Sequence, residues 1–508
     1  MRRRLLALLG LGFILAAMFI LAGRLEDNAK KDRLTYALAR FPATLDPTAV
    51  TDESGAAVLL NLYEGLVRFE PGGTGIEPAL ARDWNVSPDA RTWTFFLQED
   101  TTFADGTLLD AAAVKDAVER QLNPETAGPY ASFIYEPVTR VETKGRHMVI
   151  FHLKHPYAPF LGNLAMLPAA VVRPSPDQGL PIGTGPFVPA AIESARITIK
   201  ANAAYREGPP QMKEVLFVAI PDADERWRAL AQGRVDVAED TGAALPAGGP
   251  DSLVIAQVAG LDLSYLAFYT NKKPFDNPNV RRAASLAINQ QAIVDHLFPD
   301  RAVPAAGPLP PGTLGHHPTL DRDAYNLDEA RRLLDKEGYN GEEITLITYQ
   351  DRRPYNPAGG EKLARLLAEQ LAQAGFKVRV EAYPWEICKL AIHRQEGHAF
   401  VFGWVGDNGD PDNFLYTLLA SAQIQAGNNA SRYSNPHVDM LLGRAQQVTD
   451  AALRERLYRQ AQELIAADAP WVFLNHRLET AAHHPTVKNL VVQPTGGAYL
   501  ARVRKDDP

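Results

Sequence analysis

Cysteine is almost absent from this sequence: Cys388 is the only one. No disulfide can close within the chain, so its stability must come from packed cores. An excess of basic residues is missing too. The formal charge is −8 over 508 residues, with no basic stripe, which excludes the electrostatic footprint of a nucleic-acid binder. Beyond residue 24 no apolar run is long enough to span a bilayer. Catalytic signatures are also lacking. There is no G-x-S-x-G elbow, and Cys388, in the apolar helical pattern of "WEICKLAI", has the setting of a buried structural thiol. "PIGTGPF" (181–187) lacks the third glycine of a dinucleotide fingerprint. "HRQEGH" sets His393 and His398 five residues apart, about 500° around a helix, so the two do not share a face for zinc. No spacing of carboxylates supports acid–base hydrolysis. The sequence therefore predicts no enzyme, no metal and no cofactor.

What is present begins at the N-terminus. "MRRRLLALLGLGFILAAMFILAGR" (1–24) is a basic stretch followed by an uncharged apolar run. That is the pattern of an export signal, and the run is long enough to remain as a membrane anchor. Arg24 stands where the lipidated cysteine of a "LAGC"-like box would be, so no lipid is expected there. Cleavage and retention both stay open. Residues 25–32 are charged and read as a linker. With the arginines preceding the run, the body is expected outside the cytoplasm. At 46% hydrophobic and 22% charged residues the body is globular. Its length exceeds one core, so at least two lobes are expected.

Periodicity assigns the local elements. "RLTYALARF", "RTWTFFLQ", "HMVIFHLK" and "DLSYLAFYTN" read as strands. Asp110 is placed to cap a helix through "AAAVKDAVERQL", and "VRRAASLAINQQAIVDHLF" reads as one helix. The block from Glu343 to Asp407 carries the most information. "EITLITY" is a strand, and "QDRRPYNPAGG" is a turn-rich loop. "EKLARLLAEQLAQAG" sets Leu363, Leu366, Leu367 and Leu371 on one helical face, with Gly375 as a stop. "FKVRVEA" alternates, "EICKLAIHR" is a short helix, and "AFVFGWV" is a strand covered on both faces. The order strand–helix–strand–helix–strand predicts an α/β layer with parallel pairing, whose ligands sit beyond the carboxyl ends of the strands. Two loops meet that condition, one with Arg352 and Arg353, the other with Asp407.

The second loop, "VFGWVGDNGDPDNF" (401–414), has three aspartates: Asp407, Asp410 and Asp412. Counted from Asp407, a calcium loop would need oxygen ligands at Gly409 and Pro411 and a glutamate at Leu418, so the pattern fails. Charge recognition without chemistry remains. A short peptide is a zwitterion, and enclosing it strands two charges unless each meets a partner. Asp407 is placed to take the ammonium and Arg353 the carboxylate. A dipeptide spans about 7 Å, so a fixed Asp–Arg gap would act as a ruler. Trp385, Trp404 and Tyr355 lie beside these loops, as pocket walls or as core. Asp410 and Asp412 flank Pro411 and are expected to shape the turn and begin a helix.

From about Leu34 onward the chain resembles the family 5 extracellular solute-binding proteins of bacterial ABC importers. The resemblance is carried by "NLYEGLVRFEP" (61–71), "PALARDWNVSPDARTWTFFLQEDTTFADGT" (78–107), "PIGTGPF", "NKKPFDNPNVRRAASLAIN" (271–289), "RPYNP" (353–357), "YPWE" (383–386) and "GWVGDNGDPDNF" (403–414). The last three are most similar to the dipeptide-binding branch. The resemblance implies a two-lobed α/β periplasmic-binding fold with an extra subdomain in the first lobe. Lobe I would cover 33–261, lobe II 262–486, and 487–508 would return to lobe I. It implies a periplasmic protein of a Gram-negative bacterium, expected as a monomer, that delivers short peptides to a membrane permease. It assigns Asp407 to the ligand ammonium and Arg353 to the carboxylate, with Trp404, Trp385, Tyr355 and Gly403 beside them. Members of the family also carry haem, glutathione, nickel or longer peptides, and an anchored sensor or scaffold would use the same fold. The chain departs from the family in its single cysteine and its long N-terminal run, and "YALARFPATLDP" follows the general family, which puts Phe41 in doubt as a pocket residue.

Overall fold

The computed structural model describes residues 31–177, 179–240, 252–320 and 325–506. The expected signal or anchor segment and most of the linker lie outside them. Among the described residues, no helix is long and apolar enough to cross a membrane.

One mixed sheet runs through the molecule. Its order is Lys377–Tyr383, Glu343–Tyr349, Ala399–Val405, Asp262–Phe268, Trp471–His483, Val237–Glu239, Arg33–Leu38, Glu214–Ala219, Arg196–Ala201 and Phe187–Glu193. The long strand Trp471–His483 joins its two halves. Its first residues pair antiparallel with Asp262–Phe268, and its last pair with Val254–Ala259 and Val237–Glu239. Val254–Ala259 and Asp262–Phe268 are themselves separated only by Gly260 and Leu261. The chain thus passes between the halves at two adjacent places, near Leu261 and near Arg477. A separate antiparallel sheet of four strands, in the order Ala81–Val86, Thr92–Leu97, Met148–Leu153 and Val138–Thr143, has its own core around Trp93, Phe95, Phe151 and Phe160.

The passage between the halves is charged. Arg477 contacts Glu53 at 2.9 Å and Asp262 at 3.3 Å, and it also pairs with Glu479. Burial raises the carboxyl of Asp262 to about 6 and pushes Glu479 up as well, and the Arg477 guanidinium opposes both shifts. One buried cation therefore holds together carboxylates from both halves.

The α/β block forms as its periodicity requires. Glu343–Tyr349 pairs in parallel with Lys377–Tyr383 on one side and with Ala399–Val405 on the other. The intervening helix Gly360–Ala374 buries Leu363, Leu367 and Leu371 and stops at Gly375, whose φ of 112° favours glycine. Leu366 is only partly buried. Cys388, in helix Trp385–His393, is fully buried, and burial pushes its thiol up to about 12, which leaves it inert. Asp110 caps helix Ala111–Leu122 by accepting from the Ala113 amide at 3.0 Å.

One expected element is divided. The single helix read over "VRRAASLAINQQAIVDHLF" is two, Pro278–Leu286 and Gln290–Leu297. Asn289 is extended, and its side-chain oxygen accepts from the Ala292 amide at 3.0 Å. A side chain that caps a new helix competes with continuation of the old one.

Candidate functional site

The loop after Glu343–Tyr349 is a closed turn. Arg353 N–H donates to Asn356 O at 3.1 Å, and Asn356 N–H returns a bond to Arg353 O at 2.9 Å. The buried Asn356 amide donates to Tyr349 Oη at 2.9 Å, which pins the turn to the strand below it. This fixes where Arg353 and Tyr355 project. Arg353 lies over the Trp385 ring, 3.6 Å from guanidinium carbon to centroid, in cation–π range. Trp385 also stacks on Phe402, at 5.1 Å and 8°, and meets Tyr349 edge-on at 5.7 Å. Arg353 Nε is buried without a hydrogen-bond partner, and Arg353 forms no ion pair among the described residues. A guanidinium fixed by stacking, with donors to spare, is suited to a carboxylate.

Tyr355 is buried and presses on the backbone of Ala399–Val405. A Cβ on Gly403 would overlap its ring. Gly403 is thus required by close approach. Gly403→Ala is expected to displace Tyr355 and lower stability by about 1–3 kcal/mol, read as a shift of the urea midpoint.

Asp407 follows the end of the neighbouring parallel strand. It is half-buried, and the hydroxyl of Tyr130 donates to its Oδ1 at 3.3 Å. Burial raises its carboxyl to about 6, with the Tyr130 bond opposing. No basic side chain pairs with it among the described residues. Trp404, half-buried, is held by a 2.8 Å bond from its indole N–H to Asn413 Oδ1. The rest of the loop is structural. Asp410 pairs with Arg454 at 2.8 Å and accepts from the Asp412 amide at 3.0 Å, at the first turn of helix Asp412–Leu419. The Asp412 carboxylate does not cap that helix. It is buried, accepts from Gln446 at 3.1 Å, and rises to about 7 through burial and the nearby Asp410.

The six residues named from the sequence therefore fall into two groups. Arg353, Tyr355, Trp385 and Gly403 form one packed cluster. Asp407 and Trp404 lie on the adjoining loop and strand end. Tyr130 and Phe402 were not anticipated. Phe402 had a signal, because it stands in the "AFVFGWV" strand beside Gly403. Tyr130 had none, because it reaches Asp407 from 277 residues away.

A family model described as bacterial extracellular solute-binding proteins, family 5 middle, matches residues 75–426. The chain is 32% identical to di/tripeptide-binding protein 3 of Pseudomonas aeruginosa (strain UCBPP-PA14), covering 94% of this chain and 96% of that one. It is 30% identical to heme-binding protein A of Haemophilus influenzae, covering 92% and 91%. Among solved structures, HbpA2 from Haemophilus parasuis superposes with a TM-score of 0.86 at 26% identity, over 94% of this chain and all of that one.

Proposed function

The chain belongs to the bacterial extracellular solute-binding proteins of family 5, and we propose that its solute is a dipeptide. The family supplies the coarse function: a non-enzymatic, periplasmic binding component of an ABC importer. A monomer encloses the peptide between two lobes that exchange chain near Leu261 and, earlier than the expected boundary at Val487, within strand Trp471–His483, and presents it to the permease. Asp407 takes the ammonium, and Arg353, held on Trp385, takes the carboxylate.

One observation supports this above the others. Two opposite charges stand on adjacent loops at the carboxyl ends of paired parallel strands, and neither has an ion-pair partner among the described residues. Partly buried charges of that kind call for a ligand carrying both complements. The relative named for di- and tripeptides agrees with that requirement, while the relative named for haem makes a haem-binding role the competing reading. The test is calorimetry with a dipeptide, its N-acetyl form and its C-terminal amide. Binding of the free dipeptide, with at least a hundredfold loss for each blocked form, is expected. Equal affinity for all three would overturn the reading.

Affinity should also depend on pH. The Asp407 carboxyl titrates near 6 in the free protein, and a bound ammonium favours the ionised form, so the complex titrates lower. Affinity is therefore highest near pH 7, and above it the ligand's own ammonium, which titrates at about 8, begins to lose its proton. Affinity falls as pH drops through 6, approaching about tenfold per unit. Calorimetry from pH 8 to pH 5 measures it.

A further inference from the structure

Leu60, Val67, Met166, Leu167 and Ala170 line a cavity of about 420 Å³ in the first lobe, where the core of the large sheet meets that of the four-stranded sheet. None of the six residues assigned to the dipeptide lines it. Its size is that of a small-molecule site, and it opens to solvent on one side. Val491, 38% exposed, stands at its edge.

The polar groups around it select the kind of ligand. Glu64 is buried and already accepts from Tyr205 at 3.1 Å, Arg206 at 2.8 Å and Thr184 at 2.9 Å. Glu207 pairs with Arg68 and Arg206, each at 2.9 Å, and Arg68 also binds Glu77 at 2.6 Å. These carboxylates are occupied, so an incoming ammonium would find no free acceptor in them. Arg502 differs. It lines the cavity, is exposed, and forms no ion pair at contact distance among the described residues; its charge acts on Glu207, which already has Arg68 and Arg206. Tyr499 lines the same cavity, half-buried, and its hydroxyl makes no hydrogen bond among the described residues.

We infer that this cavity is a second ligand site, independent of the dipeptide, for an amphiphilic monocarboxylate. The apolar tail lies among Leu60, Met166 and Leu167. The carboxylate meets the Arg502 guanidinium, with the Tyr499 hydroxyl as a further donor.

Calorimetry of the full chain with octanoate, and with octylamine as the cationic counterpart, tests this. Octanoate is expected to bind one to one, at least tenfold more tightly than octylamine, and equally well when dipeptide is saturating. Arg502→Glu, at an exposed position, should weaken octanoate at least tenfold. Leu167→Trp, which fills the cavity, should abolish its binding, and both variants should keep dipeptide affinity. The inference is overturned if octanoate does not bind at millimolar concentration, if octylamine binds equally, or if Arg502→Glu leaves octanoate affinity unchanged. Should Leu167→Trp not fold, the Arg502→Glu result decides. Dipeptide binding is read separately, so failure of either site is distinguishable from failure of the other.

Discussion

Asp407→Ala lowers dipeptide affinity by a factor on the order of 10³, a loss of about 3–5 kcal/mol, because the ligand ammonium is then enclosed without a counter-charge. Arg353→Ala does the same at the other end of the peptide. The two losses differ in what rescues them. With Asp407→Ala, acetylating the ligand amine costs nothing further, since the interaction it would remove is already gone. With Arg353→Ala, amidating the carboxylate is the silent change. Calorimetry on these four combinations separates loss of a specific contact from general damage. The Tyr130 bond to Asp407 Oδ1 at 3.3 Å sets a smaller companion effect: Tyr130→Phe removes one donor from the carboxylate without removing the charge, a loss of about 1 kcal/mol.

The second large effect falls on stability. Arg454 is buried, pairs with Asp410, donates to Tyr458 Oη at 2.9 Å, and reaches Ala445 O at 3.1 Å. Arg454→Met leaves Asp410 and Asp412 buried together without a cation, and should cost about 3–5 kcal/mol at neutral pH. The pH dependence identifies the cause. Asp412 already titrates near 7 in the folded chain, well above the unfolded value. The native state therefore holds its proton more tightly than the unfolded chain does, and this contribution to stability grows as pH falls. Without Arg454 the carboxylate titrates higher still. The variant should regain part of its stability between pH 8 and pH 6, whereas loss of packing alone would leave the deficit unchanged. Urea unfolding at the two pH values measures it.

Much of this was legible because local rules and the global fold agree around the site. The alternation of "FKVRVEA", the leucine face of Gly360–Ala374 and the stop at Gly375 specify strands and a helix in parallel order. That order puts Arg353 and Asp407 at strand ends. Asp110 is a cap in sequence and in structure for the same reason. Where the reading failed, two local signals competed. Apolar periodicity continues through Asn289, but that side chain caps a second helix. Asp412 begins its helix as expected, but its amide donates to Asp410 Oδ1 and its own carboxylate turns inward to accept from Gln446. Contacts distant in sequence leave no local trace. Tyr130 on Asp407 and the bond from the Asn408 amide to Asn163 at 2.6 Å are of that kind. The Trp385 indole, open between wall and core in the sequence, packs on Phe402 with Arg353 over its ring.

Native mass spectrometry of freshly purified protein tests the central claim most directly. One-to-one complexes whose ligands have di- or tripeptide masses, released when Asp407 is replaced by alanine, are the predicted result. Complexes with haem, glutathione or a metal chelate, or a peptide complex that persists in both the Asp407→Ala and Arg353→Ala variants, would contradict it.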